Sequence, residues 1–317
     1  MDVLSSRSKQ LEVSTYGKLP CYEDFLQIGR RDGREFVTWL SAGMKELHLR
    51  GRQMAEVPWF VQLQFDSKQI VSGCFRQSED RRGRRFPFAA WTTFPKKLLS
   101  KLRSEGVIRQ SSVWESLRST TLELTGSSDQ HDFETRASMA EVQWDPEESV
   151  AHFEATEITL RDLFSDGEQN ESWQAALGRL VCDLRYATTT VQNLKIDAEL
   201  LPAIAIPLRP LLPTVEQVAF WLKFLEKNAM LHSKSPTYSL AIPQKAPGHA
   251  WLFPRVPVAA DLALLDQAPT RCLSFDPEGE DSRSSEELAW VTKNLSKTLS
   301  DESTLETLAE TQLTLNP

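Results

Sequence analysis

The sequence has few glycines and no long apolar run, and these two absences exclude several classes of function. Only 13 of its 317 residues are glycine. The glycine-rich phosphate-binding patterns G-x-G-x-x-G and G-x-x-x-x-G-K-[ST] both fail to occur, which disfavours a nucleotide-dependent enzyme. No stretch approaches the roughly 18 uncharged apolar residues of a membrane span, and the N-terminus lacks a signal-peptide core. A cytoplasmic protein is therefore expected.

Cysteine and histidine are also scarce and scattered. The four cysteines, Cys21, Cys74, Cys182 and Cys272, include no C-x-x-C pair, so neither a disulfide framework nor a zinc knuckle is indicated. The five histidines match no metal or nucleophile motif. We expect no metal, no cofactor and no catalytic residue. A hydrolase remains an alternative if His131 and Asp132, or Cys182 and Asp183, converge in one pocket with perturbed pKa values.

Charge is divided unevenly along the chain. The formal net charge is −8, which argues against a general nucleic-acid binder, since such proteins need a clustered excess of Lys and Arg. Residues 76–109, however, hold ten basic and three acidic side chains, and residues 276–317 hold ten acidic and three basic ones. The basic region and the acidic tail are opposite in sign, so they can meet each other or separate partners.

Two short runs have the composition of turns that lead into apolar elements. The first is Tyr16-Gly17-Lys18-Leu19-Pro20, followed by Asp24-Phe25, and the second is Asp80-Arg81-Arg82-Gly83-Arg84-Arg85-Phe86-Pro87-Phe88. The arginine run has three interpretations, which are a solvated structural turn, a protein docking site that binds carboxylates, and a nucleic-acid site with stacking aromatics. Because alternation in the strand already explains the aromatics as core, the structural turn and the docking site are favoured.

Apolar periodicity predicts alternating strands and helices. Strands are predicted over 11–16, 59–65, 69–75, 86–94, 203–208, 238–242 and 250–253. Helices are predicted over 32–50, 112–124, 145–166, 173–184, 214–225 and 259–265. A further amphipathic helix, over 288–299, follows an acidic linker and is too short to be stable alone. It is expected to dock on this domain or on another protein.

The two turn-like runs resemble the marks of the TagF family, also called ImpM, whose members accompany bacterial type VI secretion systems. The family carries G-K-L-P followed by G-D-F, and later D-x-x-G-R-x-F-P at the start of a strand. Residues 17–20, 24–25 and 80–87 match these runs, whereas Glu23 stands where the family has glycine. The clear resemblance covers residues 16–94.

The resemblance implies an α/β fold, a three-layer α/β/α sandwich around a mixed sheet, with a helical or flexible acidic C-terminal tail. It implies a disordered start over 1–10, a TagF-like domain over 11–275 and an acidic linker and amphipathic tail over 276–317. Whether about 140–275 forms a second lobe stays open.

In function, the resemblance implies a non-enzymatic accessory regulator that acts after translation by binding the forkhead-associated scaffold protein or another assembly component. The residues expected to bind the partner are Lys18, Asp24, Arg81, Arg82, Arg84 and Arg85. The alternatives are a hydrolase with an unrecognised site and a nucleic-acid-binding module that uses the arginine turn.

Overall fold

The computed structural model describes the parts of the chain on which the fold depends. These are residues 9–29, 33–54, 56–65, 69–95, 103–144, 159–164, 172–194, 201–210, 212–228, 230, 238–265, 267, 272–273, 285–303 and 307–308.

The described residues form ten strands, eight α-helices and one 3-10 helix. The strands are β1 Lys9–Glu12, β2 Ser14–Gly17, β3 Leu26–Ile28, β4 Trp59–Leu63, β5 Gln69–Glu79, β6 Arg85–Pro95, β7 Glu141–Trp144, β8 Ile204–Leu208, β9 Ser239–Pro243 and β10 Gly248–Phe253. The helices are α1 Arg34–Leu49, α2 Arg103–Arg109, α3 Ser111–Thr125, α4 Gln130–Ser138, α5 Leu160–Phe164, α6 Trp173–Asn193, α7 Thr214–Lys227 and α8 Ser285–Thr298, and the 3-10 helix is Ala259–Leu264.

Eight of these strands form one sheet, in the order β3-β2-β6-β5-β4-β9-β10-β8. The seven neighbouring pairs are all antiparallel. β4 pairs with β9, for example Val61 with Ala241, so the two halves of the chain share a single sheet. The remaining strands, β1 and β7, form a separate antiparallel pair.

Alternation along the strands gives the sheet two apolar faces. In β4, Phe60 faces one hydrophobic cluster while Trp59 and Val61 face the other. All five residues of β4 are buried, because successive side chains of a strand point to opposite faces and helices cover both. The predicted three-layer α/β/α sandwich is confirmed, whereas the sheet, predicted as mixed, is antiparallel in all seven of its described pairs.

One face is covered by α1 and the 3-10 helix. Phe36 and Trp39 of α1 pack against Phe75 of β5, and the Trp39 Nε1–H donates to the carbonyl of Val258 at 2.8 Å. α1 approaches the 3-10 helix closely at Gly43, where a Cβ would lie 2.6 Å from the Cβ of Leu262. A glycine is thus required sterically at this crossing.

The opposite face is covered by a larger group of helices. α3 packs on β5 and β6, α7 packs on β8 and β9, and α6 packs on β8. The polar side chain of Gln62 in β4 is buried here. It donates to the carbonyl of Tyr238 at 3.2 Å and accepts from Gln110. A buried amide is tolerated when such partners satisfy it.

The described elements agree with most of the predicted ones and add others. The predicted strand 11–16 is instead divided into β1 and β2, and the first strand begins at Lys9, two residues before the predicted start of the domain. α2, α4, β3 and β7 were not predicted. Most of the predicted helix 145–166 lies outside the described residues, which include only α5 from that stretch.

α8 docks on this same domain, against α6. Gly178 of α6 permits the contact, since a Cβ there would lie 2.6 Å from Thr292 Oγ1. Val291 and Leu295 are buried, and Arg185 of α6 pairs with Glu287 at 3.2 Å. Residues 276–284, predicted as an acidic linker, lie outside the described residues.

Because Leu295 is completely buried, we expect Leu295→Ala to lower the free energy of unfolding by about 2–5 kcal/mol through lost transfer energy and a cavity. Denaturant unfolding monitored by circular dichroism measures this change. The neighbouring exposed Ser296→Ala is the matched control and is expected to change stability by less than about 0.5 kcal/mol. Equal stability of the two variants would contradict docking of α8 in the free protein.

Candidate functional site

The arginine run forms the loop of the β5–β6 hairpin. The two strands pair from Gln69–Pro95 to Glu79–Arg85, and the loop closes with a hydrogen bond from the Gly83 N–H to the Asp80 carbonyl at 2.8 Å. Gly83 has φ 72°, in the left-handed region that glycine adopts without steric cost. The arginines of the run, which are Arg81, Arg82, Arg84 and Arg85, are all exposed.

Asp80 holds this loop together from inside. Its carboxylate is 0% exposed. Oδ2 accepts from Lys18 Nζ at 2.8 Å and from Arg84 Nε at 2.7 Å. Oδ1 accepts from the backbone N–H groups of Arg82 and Arg84, both at 2.9 Å. A buried carboxylate is stable when it is paired and hydrogen-bonded in this way.

The surroundings of Asp80 favour its charged form. Burial alone raises the pKa of a carboxyl group, but the hydrogen bonds from Lys18, from the backbone and side chain of Arg84 and from the backbone of Arg82 outweigh it. The pKa of Asp80 therefore lies well below the usual carboxyl range. The carboxylate stays ionised throughout the physiological pH range, so the loop has a fixed negative centre.

The two runs that lie about sixty positions apart in sequence meet in space. Gly17 has φ 141°, and a Cβ there would lie 2.2 Å from the carbonyl oxygen of Pro87. Lys18 follows directly and pairs with Asp80, while Leu19 is completely buried. Gly17 thus allows the two runs to approach closely, and Lys18 pairs with the second run. These contacts explain why a glycine and a lysine occupy these positions.

Lys18 and Arg84 differ from the expectation that both present their charge to a partner. Lys18 is 7% exposed, so its ammonium is a buried support for the loop and not part of the surface. Arg84 is exposed but donates from Nε to Asp80 and from Nη2 to the carbonyl of Glu23. Both residues position the loop, and partner binding stays a prediction for the remaining exposed residues.

The segment that contains Glu23 and Asp24 lies against the loop. Arg81 donates its backbone N–H to the carbonyl of Tyr22 at 2.9 Å, and Arg82 Nε donates to Glu23 Oε2 at 2.9 Å. The residue that replaces the family glycine therefore makes an ion pair with the arginine loop. Asp24 is exposed and accepts from the N–H of Phe25 at 2.8 Å.

Phe25 adds an apolar group to this surface. It is 40% exposed, stacks on Tyr16 with ring centroids 5.4 Å apart and meets the ring of Phe86 edge-on at 4.7 Å. The Lys18 ammonium lies 5.1 Å from its ring centre, within the range of a cation–π contact. The sequence alone did not indicate Phe25 as a surface group, because its exposure depends on neighbours from two distant strands.

The candidate hydrolase pairs lie in different settings, His131 on the exposed first turn of α4 and Cys182 in the core along α6. Asp132 lies in the first turn of α4, where a hydrogen bond from Arg136 and one from the backbone of Ser128 lower its pKa. Cys182 is buried in the core. No cluster of His, Cys, Asp and Glu able to hold a metal is found among the described residues. Within the same residues, no helix is long and apolar enough to cross a membrane.

Comparison with known proteins identifies a family for the part of the chain that contains this loop. Residues 14–140 match the family model described as TagF N-terminal domain, Type VI secretion system-associated. The match spans β2 to β6 and α1 to α4 and includes both short runs. The predicted resemblance to TagF is confirmed. No match was found among curated proteins.

Among solved structures, the chain is similar to the crystal structure of PA0076 from Pseudomonas aeruginosa PAO1. The identity is 23% and the TM-score 0.32, and the alignment covers 41% of this chain and 62% of that one.

We expect Asp80→Asn to loosen the arginine loop, because an amide cannot pair with Lys18 and Arg84 as a carboxylate does. The midpoint of thermal unfolding should fall by roughly 5 °C or more. Amide hydrogen exchange of Arg82 and Arg84, whose N–H groups bind Oδ1, should accelerate. Asp24→Asn, at an exposed carboxylate, is the control and should shift the midpoint by less than about 2 °C. Unchanged exchange in the Asp80 variant would show that the loop does not depend on this carboxylate.

The lowered pKa of Asp80 also sets the pH dependence of this difference. An unfolded aspartate titrates near pH ~3.9, so the stabilising contribution of Asp80 is complete above that value. It is lost as the pH falls through the lower pKa of the folded state. The stability difference between wild type and Asp80→Asn should therefore be constant from neutral pH to about pH 5 and shrink below about pH 4. A difference that already declines at pH 6 would contradict the assigned hydrogen bonds.

Proposed function

We propose, from the premise that this chain carries a TagF N-terminal domain, that it is a cytoplasmic accessory regulator of a type VI secretion system. It acts after translation by binding the forkhead-associated scaffold protein or another assembly component. The observation that carries the proposal is an arginine loop held on a buried carboxylate inside the family-matched region. A loop supported in this way keeps its exposed groups in one arrangement, which reduces the entropy lost on binding.

The charges on the loop favour a protein partner over a nucleic acid. Arg82 is paired with Glu23 and Arg84 with Asp80, so two of its four guanidinium groups already have carboxylate partners. Phosphate binding along a nucleic acid depends on many uncommitted cations. Arg81 and Arg85 are exposed and have no carboxylate partner among the described residues. They suit a small number of carboxylates on a protein surface.

Regulation of this kind requires no catalysis. A protein that binds one assembly component lowers the free concentration of that component and shifts assembly by mass action. The direction of the effect depends on whether the bound component is competent to assemble. We propose accordingly that the protein is not an enzyme.

Isothermal titration calorimetry of the full chain against the forkhead-associated scaffold protein of the same secretion system tests the proposal. We expect binding at micromolar Kd or tighter. Arg81→Glu should weaken it by about tenfold, because a repulsive charge replaces an attractive one at the contact. Arg81 is exposed, and its side chain makes no hydrogen bond or ion pair among the described residues, so its reversal should leave thermal unfolding unchanged.

Arg118→Glu is the matched control, since Arg118 lies on α3 and pairs locally with Glu115 at 2.6 Å. It should bind the scaffold like the wild type. Absence of heat with a folded sample would reject the scaffold as partner. Equal weakening by the Arg81 and Arg118 variants would reject the arginine loop as the contact.

A further inference from the structure

A cleft of about 510 Å³ lies between α1 and the β5–β6 hairpin. Its apolar lining includes Met44 of α1 and Phe86 and Pro87 of β6, and its basic lining includes Lys45, Arg52 and Arg85. None of the described side chains that line it is acidic. The cleft thus combines an apolar floor with a cationic rim and has the size of a ligand pocket.

The cations of the rim are available to a partner. Lys45 and Arg52 are exposed, and no ion pair is found for either among the described residues. Arg85 is also exposed and donates to Gln53, a neutral amide, so its charge is not neutralised by that contact. Glu46, which follows Lys45 on α1, pairs with Arg50 at 3.9 Å. The rim therefore carries excess positive charge on a protein whose net charge is −8.

The floor selects against a purely ionic ligand. Met44 is half-buried and Phe86 is 8% exposed, so the cleft offers apolar surface that is largely withdrawn from solvent. Burial of a partner side chain there removes apolar surface from water, at about 25 cal/mol per Å². Methionine adapts its shape to different apolar side chains. A ligand that fits has an apolar group with negative charges on either side.

The acidic segment 276–284 of this chain is too short to reach the cleft within the same molecule. Leu273 bridges to Ile204 of β8. In the sheet order β8 lies five strand positions from β6, which carries Phe86 and Pro87 of the cleft, or about 24 Å at the usual strand spacing. The next fixed point, Glu287, binds Arg185 of α6 on the other face. A segment with both ends fixed can reach no farther than about half of its extended length. For residues 274–284 this limit is roughly 19 Å, which is shorter than the distance to the cleft.

We propose that this cleft binds an acidic segment of a partner protein in which an apolar side chain is flanked by carboxylates. The proposal rests on the proposed function and specifies its contact. The apolar side chain packs on Met44, Phe86 and Pro87. The carboxylates bind Lys45 and Arg52 on one side and Arg85 on the other.

Fluorescence anisotropy of the full chain with a labelled synthetic peptide, a phenylalanine between glutamates, tests the chemistry directly. We expect saturable binding that weakens about tenfold or more when glutamine replaces the glutamates or alanine replaces the phenylalanine. The double variant Lys45→Glu/Arg52→Glu should lose binding by at least about tenfold, and Met44→Gln should weaken it severalfold. The double variant should unfold at the wild-type temperature, because both of its substituted groups are exposed.

The matched control is Lys293→Glu/Lys297→Glu, which makes the same change of charge at two exposed lysines of α8, on the other side of the sheet. It should bind the peptide like the wild type. Three results would overturn the proposal: no peptide binding, equal loss in both double variants, or equal affinity for the glutamine peptide. Tighter binding of a single-stranded oligonucleotide of equal charge would also overturn it.

Titration of the scaffold protein with the same variants separates this proposal from the proposed function. Scaffold binding that the cleft variant retains would overturn the cleft as the contact and leave the proposed function standing. Peptide binding without scaffold binding would support the cleft and reject that partner. Loss of scaffold binding in the cleft variant alone would support both.

Discussion

The arrangement of the arginine loop depends on one buried carboxylate. Asp80 receives two cationic side chains and two backbone N–H groups while its own carboxylate is inaccessible to water. A charge buried in this way is costly unless it is paired and hydrogen-bonded. Here Lys18 donates from the end of β2, and the other donors belong to the loop itself. The same contact joins the N-terminal run to the hairpin and places a defined set of guanidinium groups at one end of the sheet.

Local patterns were sufficient to predict elements whose side chains repeat regularly, such as α1, α7 and the β4–β5 hairpin. They were insufficient where a residue is explained by a distant one. Lys18 looks like a surface lysine in sequence, yet its partner is 62 positions away. Gln62 looks solvent-facing, yet α3 and the strands beside it bury it. α4 was not predicted because its polar residues obscure the period, although Asp129 caps it by accepting from the Asp132 N–H. Propensity is a weak guide when tertiary contacts decide.

The acidic C-terminal region illustrates a second limit of composition. Its negative charge suggested a segment that competes for the basic loop, whereas α8 uses its apolar side to pack on α6 through Val291 and Leu295. Charged residues on the outer face of an amphipathic helix show that this face is exposed to solvent. They do not by themselves identify a binding partner. A deletion that removes α8 therefore exposes apolar surface of α6 and changes stability, so such a deletion cannot isolate the effect of tail charge on binding.

The cations around the hairpin fall into two groups with different physical consequences. Lys18, Arg82 and Arg84 pair with carboxylates of the same domain and define the shape of the loop. For Arg81, Arg85, Lys45 and Arg52 no ion pair is found among the described residues, although Glu79 lies opposite Arg85 in the hairpin. Three of these cations line a cleft with an apolar floor. A partner that supplies carboxylates and an apolar group pairs with these exposed cations and removes the apolar floor from water in the same contact. The paired cations therefore fix the shape of the loop, and the cations without an ion pair supply the charge that a partner protein recognises.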